Sequence, residues 1–408
     1  MSVYSPSFIR QQLGAVSHIQ LASEVLNCRD QAQFFYNTPD YTLISEKVHA
    51  QVQAPLQPDT ARLQDWLNQA KSQLQEVIKQ GHVDAKIMGG LPFSTEQDAP
   101  ELLISDSRWI QKLFFQPQKS SDNRLKHYRY HPEAAAYQAG VQVLVNEMQQ
   151  AQLNKAVLAR LVELEFEQLI NISDVFQSLV QDNPDGYNYA IASHPQQHGW
   201  FIGASPELLI AKQQAQVWSQ PVAGTLARSL DAVTDQDNAR QLFNSEKDQL
   251  EHKVVIEMIA DQLNPFCKQL HIPKQPSLIR TRRLWHLATQ IQGELKHPDT
   301  HIFDLVEVLH PTPAVCGQPP QRARQRIREL EPFQRELFAG AMGWADGKGN
   351  GAWSVTVRCA RIYQNFARLF AGAGIVAQSD PQLEHAETAA KFRTVLDGLG
   401  LDSQRLQP

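Results

Sequence analysis

AGAGIVAQSDPQLEHAETAAKF, residues 371–392, joins a side-chain-poor run to a segment that carries two carboxylates three residues apart. On a helix, the i,i+3 spacing of Glu384 and Glu387 puts both on one face. SEKDQLEHKVV, residues 245–255, repeats the arrangement with Asp248 and Glu251. Brought together, four oxygen side chains suit a hard divalent cation such as Mg²⁺, which prefers oxygen and keeps waters that a substrate can displace. Taken singly, either pair reads as a solvated helix face. A Gly-rich loop, an arginine and two lysines accompany them and set them apart. AGAG itself reads as a turn.

The rest of the chain has the composition of an enzyme. Its 408 residues are 42% hydrophobic, enough for one large core or two moderate ones. The net charge of −5 comes from mixed signs without long runs, which speaks against nucleic acid or an anionic membrane as partner. No apolar run approaches the roughly 20 residues of a membrane helix, and MSVYSPSFIRQQLG lacks the pattern of a secretion signal. Four scattered cysteines (Cys28, Cys267, Cys316, Cys359) show no metal spacing and fit reduced thiols in a cytoplasmic protein. Cys316 and Cys359 read as small packing residues.

The first 55 residues show no pattern. Residues 59–80 have helical periodicity after a possible Asp59 cap. Lys86–Phe93 and Glu101–Ser105 read as strands, Gln116–Lys126 as a surface loop, 132–154 as a helix and Ala156–Phe166 as a strand. Beyond that, strand and helix signals alternate without a linker. This pattern predicts one α/β domain, or an α+β domain with an integrated N-terminal region.

From about Gly89 onward the chain resembles the chorismate-utilising enzyme family, and within it most closely the isochorismate synthases. The resemblance rests on GGLPF (Gly89–Phe93), NKAVLAR (Asn154–Arg160), GASPELLI (Gly203–Ile210), PVAGTLAR (Pro221–Arg228) and SEKDQLEH (Ser245–His252). It continues through LWHLAT (Leu284–Thr289), HPTPAVCG (His310–Gly317), LFAGAMGW (Leu337–Trp344), GNGAWSVTVRCA (Gly349–Ala360) and the 371–392 stretch. The motifs occur in family order over about three quarters of the chain. The resemblance implies an α+β fold, with two antiparallel sheets flanked by helices around a central cleft. Residues 1–88 would be an N-terminal region of that fold and 89–408 the catalytic domain. It also implies a Mg²⁺-dependent reaction on chorismate.

By the resemblance, Glu251 and Glu387 are direct Mg²⁺ ligands, with Asp248 and Glu384 on the metal's waters or supporting the ligands. Chorismate carries two carboxylates. The ion would neutralise one, and Arg358, on the strand-like SVTVRCA, would hold the other as a bidentate partner. Backbone N–H groups near Gly372 and Gly374 and the ammonium of Lys391 would meet the same group. Read alone, Arg358 is a strand residue paired with a surface acid. The reaction adds water at C2, shifts the double bonds and expels the C4 hydroxyl, so it needs a base and an acid. The resemblance places the base at Lys155, which requires a lowered pKa, and the acid at Glu207, which requires a raised one. His286 either hydrogen-bonds a ring hydroxyl and helps orient the leaving group or is a core histidine. Thr225 would donate to the migrating hydroxyl, Phe338 would wall the ring, and Val315 would set the width near the pyruvyl group. His252 reads as structural.

Relatives that use ammonia typically lack a lysine at the position of Lys155, and one branch carries a nucleophilic lysine where this chain has Ala223 of PxxGT. Anthranilate and salicylate synthases generally place a threonine at Ala314, where a hydroxyl assists loss of pyruvate. The resemblance therefore implies water as nucleophile, isochorismate as product and no obligatory glutamine amidotransferase partner. It also implies a monomer, with siderophore supply preferred over menaquinone synthesis. A salicylate synthase and a non-catalytic chorismate-binding subunit are the competing expectations.

Overall fold

The computed structural model describes residues 32–55, 62–111, 123–193, 199–401 and 406. Among these, seventeen strands form one extended antiparallel ladder. Val222–Ala227, Leu284–Ala288 and Ser277–Arg280 form a second, three-stranded sheet, with Leu284–Ala288 in the middle. The class is α+β with antiparallel sheets and covering helices, as the resemblance implies.

The long strand Lys155–Phe166 runs through the centre. Its first eight residues are all buried, so it shows no in-and-out alternation. Ala156, Leu158, Ala159 and Leu161 join the larger apolar core, while Val162, Leu164 and Phe166 join a second one. That second core is closed by helices Ile172–Asp182 and Pro381–Gly398 through Val175, Phe176, Leu179, Phe392, Val395 and Leu396. One neighbour of the central strand is Phe366–Ile375, paired over ten residues, and another is Leu125–His131.

Both acid pairs lie on helices. Glu246–Leu263 starts at Ser245, whose hydroxyl accepts the Asp248 N–H. Pro381–Gly398 starts at Asp380, whose carboxylate accepts the N–H groups of Gln382 and Leu383 at 2.9 Å, with proline at the first helical position. Such caps satisfy donors that have no partner inside the helix.

Several expectations are corrected. Residues 34–37 and 41–51 form two strands of the main ladder, although the first 55 residues look unpatterned. Phe34–Asn37 and Tyr41–Ser45 are buried on both faces, which erases the period-2 signal. Residues 1–31 lie outside the described ones. The Glu101 strand extends to Gln111. Most of the expected 116–126 loop lies outside the described residues, and Leu125 already opens a strand. The possible Asp59 cap is also outside them. At the helix Leu63–Lys79 it is Asp65 that accepts the Arg62 N–H, at 2.8 Å. AGAG is not a turn: Gly372 and Gly374 lie within the last four residues of the strand Phe366–Ile375, opposite Ala159 and Val157. The division at residue 88 falls inside the strand Lys86–Leu91, so the N-terminal strands belong to the same sheet as the rest.

Candidate active site

A cleft of about 660 Å³, mouth included, opens where the small sheet meets the Phe366–Ile375 strand and the two acid-bearing helices. Of the residues singled out from sequence, Glu207, Thr225, Glu251, His286, Ala314, Phe338, Arg358, Gly372, Gly374, Glu387 and Lys391 line it. Lys155, Asp248 and Glu384 are not among the lining residues, although Lys155 meets Glu251, which is. A second depression surrounds Glu101, Glu336 and Arg361 and contains none of these candidates.

Each wall follows from local structure. Pro206 and Glu207 separate the consecutive strands Gly199–Ser205 and Leu208–Gln213, and Glu207 is presented at the break. Burial pushes its carboxyl up to about 8, against the opposing pull of Lys155 and Arg358. It is therefore a neutral acid at pH 7. Arg358 was expected on a strand. It sits instead between Gly351–Val355 and Cys359–Tyr363 with a left-handed φ of 53°, a conformation that interrupts the strand. Burial pulls its guanidinium down to about 10. Its Nη2 lies 3.2 Å from His286 Nε2, and its Nε is buried without a hydrogen-bond partner among the described residues.

That contact fixes the histidine's tautomer. A guanidinium can only donate, so Nε2 of His286 accepts, and Nδ1 carries the hydrogen toward the Gly224 carbonyl at 3.1 Å. Thr225 Oγ1 is also 3.1 Å from Nδ1. Burial and the neighbouring Arg358 hold the His286 pKa well below the usual range, so the ring is neutral. His286 is thus both fully buried and a cleft residue that orients Arg358 and Thr225. Phe338 stacks on Phe370, with centroids 5.4 Å apart, and the pair walls the opposite side. His252 Nε2 lies 2.7 Å from Thr289 Oγ1, in keeping with a structural role.

Three lysines meet the acids. Lys155 Nζ lies 3.0 Å from Glu251 Oε1, Lys391 Nζ lies 2.7 Å from Glu387 Oε1, and Lys247 pairs with Glu384. Lys391 also donates to the Gly372 carbonyl at 2.8 Å. Burial works to raise the Glu251 carboxyl, but Lys155, Lys247 and Lys391 outweigh it and hold it below its usual value. Glu384 has no such surplus. Burial, then Glu387, pushes it up to about 7, and its Oε2 is buried without a hydrogen-bond partner among the described residues. Asp248 is raised as well, chiefly by burial.

Asp248 and Glu384, both raised by burial, and the unpartnered Glu384 Oε2 are short of positive charge. The all-oxygen donor set fits an oxygen-preferring divalent ion. Gly374 supports the fit, because a Cβ there would meet Glu251 Oε1 at 2.1 Å. The glycine is required for the approach of this carboxylate rather than for a turn. Gly374→Ala should therefore displace Glu251 and raise the half-saturating concentration of a divalent metal by roughly 10–100-fold. The metal dependence of initial rates checks this.

Sequence reasoning missed two supports. Lys247 is one. The other is the buried pair Glu331–Arg335. Arg335 donates to the carbonyls of Val315 and Val157 at 2.8 and 2.7 Å, and Glu331 accepts the Ala159 N–H at 2.8 Å. Together they tie the Ala314–Val315 wall to the central strand. Their i,i+4 spacing was readable, but the intervening Pro332 masks it as a helix signal.

Fold and cleft together describe an enclosed site that gathers acids, lysines and an arginine. Residues 92–400 match the model of the chorismate binding enzymes, and the chain belongs to that family. Among its relatives, isochorismate synthase DhbC of Bacillus subtilis is 36% identical over 392 residues, covering 93% of this chain and 97% of that one. Isochorismate synthase EntC of Escherichia coli K12 is 37% identical over 330 residues, 79% and 83% of the two chains. A crystal structure from Bacillus anthracis, assigned as a 2,3-dihydroxybenzoate-specific isochorismate synthase, DhbC, superposes with a TM-score of 0.87. It shares 35% identity and covers 94% of this chain and 100% of that one.

Proposed function

We propose that this chain is an isochorismate synthase, an isomerase that converts chorismate to isochorismate with Mg²⁺ as cofactor. The observation that carries the reading is one cleft holding a neutral acid, Glu207, a cationic anchor, Arg358, and an oxygen-donor ion site.

Glu251 and Glu387 would hold the ion, with Asp248 and Glu384 behind them. When bound, the ion supplies positive charge to a substrate carboxylate and competes with Lys155 for Glu251. Arg358, held by His286, binds the other carboxylate and leaves its Nε hydrogen free to do so. Lys391 and the backbone of Gly372 and Gly374 line that side. Lys155 enters the step as the neutral amine, its ammonium proton having left to solvent, and takes a proton from the attacking water as that oxygen bonds to C2. The double bonds shift, the C4–O bond breaks, and Glu207 donates its proton to the leaving hydroxide. One water enters and one leaves, so the product is an isomer. Proton return from Lys155 to Glu207 through solvent resets the site. Thr225 meets the migrating hydroxyl, and Phe338 walls the ring. Ala314 offers no hydroxyl for pyruvate loss, which supports isochorismate as the end product.

The proposal includes supply of a catechol siderophore, as the specificity assigned to the Bacillus anthracis structure supports. It also includes a monomer acting in the cytoplasm without an amidotransferase subunit. Among the described residues no helix is long and apolar enough to cross a membrane.

Purified protein incubated with chorismate and Mg²⁺ should yield isochorismate without pyruvate, resolved by chromatography. EDTA should abolish turnover and added Mg²⁺ restore it. Salicylate with pyruvate would overturn the role given to Ala314. No turnover despite Mg²⁺ binding would favour a non-catalytic subunit.

A further inference from the structure

A second constellation of ligand-type side chains lies apart from the cleft. His49 is on the strand Tyr41–Gln51, Asp106 on its partner Glu101–Gln111, and His82 just past the helix Leu63–Lys79. One donor atom from each lies within 4.8 Å of the others. His49 Nε2 is 3.0 Å and His82 Nδ1 3.8 Å from Asp106 Oδ2. Ligand atoms around a tetrahedral zinc-type ion, bonded at about 2.0–2.1 Å, stand roughly 3.3 Å apart. The observed spacings bracket that value.

Two features of the backbone produce this convergence. The pairing of the two strands slips on either side of Val48, between Ser45 and Val48 and again between Val48 and Ala50. Such irregularities re-aim side chains, and His49 lies within this one. Gly81, at a φ of 105°, turns the chain after the helix so that His82 comes back over the sheet. The two imidazoles end with their centroids 3.8 Å apart.

The polar groups are also unsettled without an ion. His49 Nε2 is shielded from solvent and, although 3.0 Å from Asp106 Oδ2, makes no aligned hydrogen bond among the described residues. Lys86, which feels the Asp106 charge, is held by the Asp84 carbonyl at 2.8 Å. His82 and Asp106 keep about a third of their side chains exposed, which leaves a path for an ion and a position for water.

We propose that His49, His82 and Asp106 form a binding site for a borderline divalent transition metal such as Zn²⁺, distinct from the oxygen-donor site of the cleft. Two imidazoles and one carboxylate select zinc-type ions over Mg²⁺. The ion would clip the turn after the helix onto the two strands, and so brace the N-terminal part of the sheet.

The test uses the full chain stripped with chelator, then held in excess Mg²⁺ so that the cleft acids are occupied. Zn²⁺ is titrated against a chromophoric chelator, and Co²⁺ is followed by its visible spectrum. One equivalent of Zn²⁺ should bind with a dissociation constant on the order of 1 µM or tighter. His82→Ala and Asp106→Asn should each weaken it by about 10–100-fold or more, since even outer-shell partners have effects of that size. Zn²⁺ should raise the melting temperature of the wild-type chain but not of His82→Ala, and Glu251→Gln should bind Zn²⁺ normally. His82 lies in a turn, so its loss leaves the fold and the isomerase activity intact. Absence of binding, or binding that neither variant weakens, would overturn the proposal.

Discussion

Lys155→Ala is expected to lower kcat by roughly 10²–10⁴-fold, the usual worth of a positioned base, while the chain still folds. The Lys155 side chain is fully buried, with Glu251 at 3.0 Å. Removing it leaves Glu251 within the field of Lys247 and Lys391, so the carboxylate is not stranded. The rival role, that Lys155 merely positions Glu251, has a different signature. Loss of positioning raises the Mg²⁺ requirement and is overcome at saturating metal, whereas loss of the base is not. Steady-state kinetics across a Mg²⁺ series separates the two. A kcat close to wild type at saturating Mg²⁺ would remove Lys155 from proton transfer.

Glu207→Gln should cost a similar roughly 10²–10⁴-fold and should also erase one limb of the pH profile. Burial lifts the Glu207 carboxyl to about 8. The donating form therefore predominates below that pH, and kcat/KM of the wild-type enzyme should fall as pH rises beyond it. An amide at this position cannot titrate, so the residual activity of the variant should lack this limb. A wild-type profile with no loss on the alkaline side would remove Glu207 from the acid role. Stability has the same sign. The folded value stands above the roughly 4.3 of an unfolded glutamate, so the folded state holds the proton more tightly. This contribution is complete below the unfolded value and is lost as pH rises through about 8. The variant should show a flatter dependence of its denaturation midpoint on pH over that window.

What could be read beforehand follows from the range of the forces involved. The faces of the two acid pairs were legible because i,i+3 geometry is local, and both pairs do lie on capped helices. The central strand was legible as the strand-like segment Ala156–Phe166, one residue short of its true start at Lys155. The partners of those acids were not. Lys155–Glu251 and Lys247–Glu384 join residues about a hundred or more positions apart, and nothing local marks them. AGAG was misread for the same reason, since the need for glycine at 374 comes from a carboxylate on a distant helix. The left-handed backbone at Arg358 interrupts a sequence with every local mark of a strand. Residues 34–37 and 41–45 hid because burial on both faces removes the alternation by which strands are recognised.

The pairing of the central strand Lys155–Phe166 with Phe366–Ile375 also bears on how the enzyme is made. Each paired residue meets one about two hundred positions away, so closing that ladder must overcome the entropy of a very long loop. During synthesis, Lys155 and Glu207 emerge well before the strand and helix that complete their cleft. A chain released short of Pro381 would carry Lys155 and Glu207, the proposed base and acid, but lack Glu384, Glu387 and Lys391, and the second core would lose one of its two covering helices. Truncated products should therefore be inert as well as incomplete, which confines activity to chains translated through their final helix.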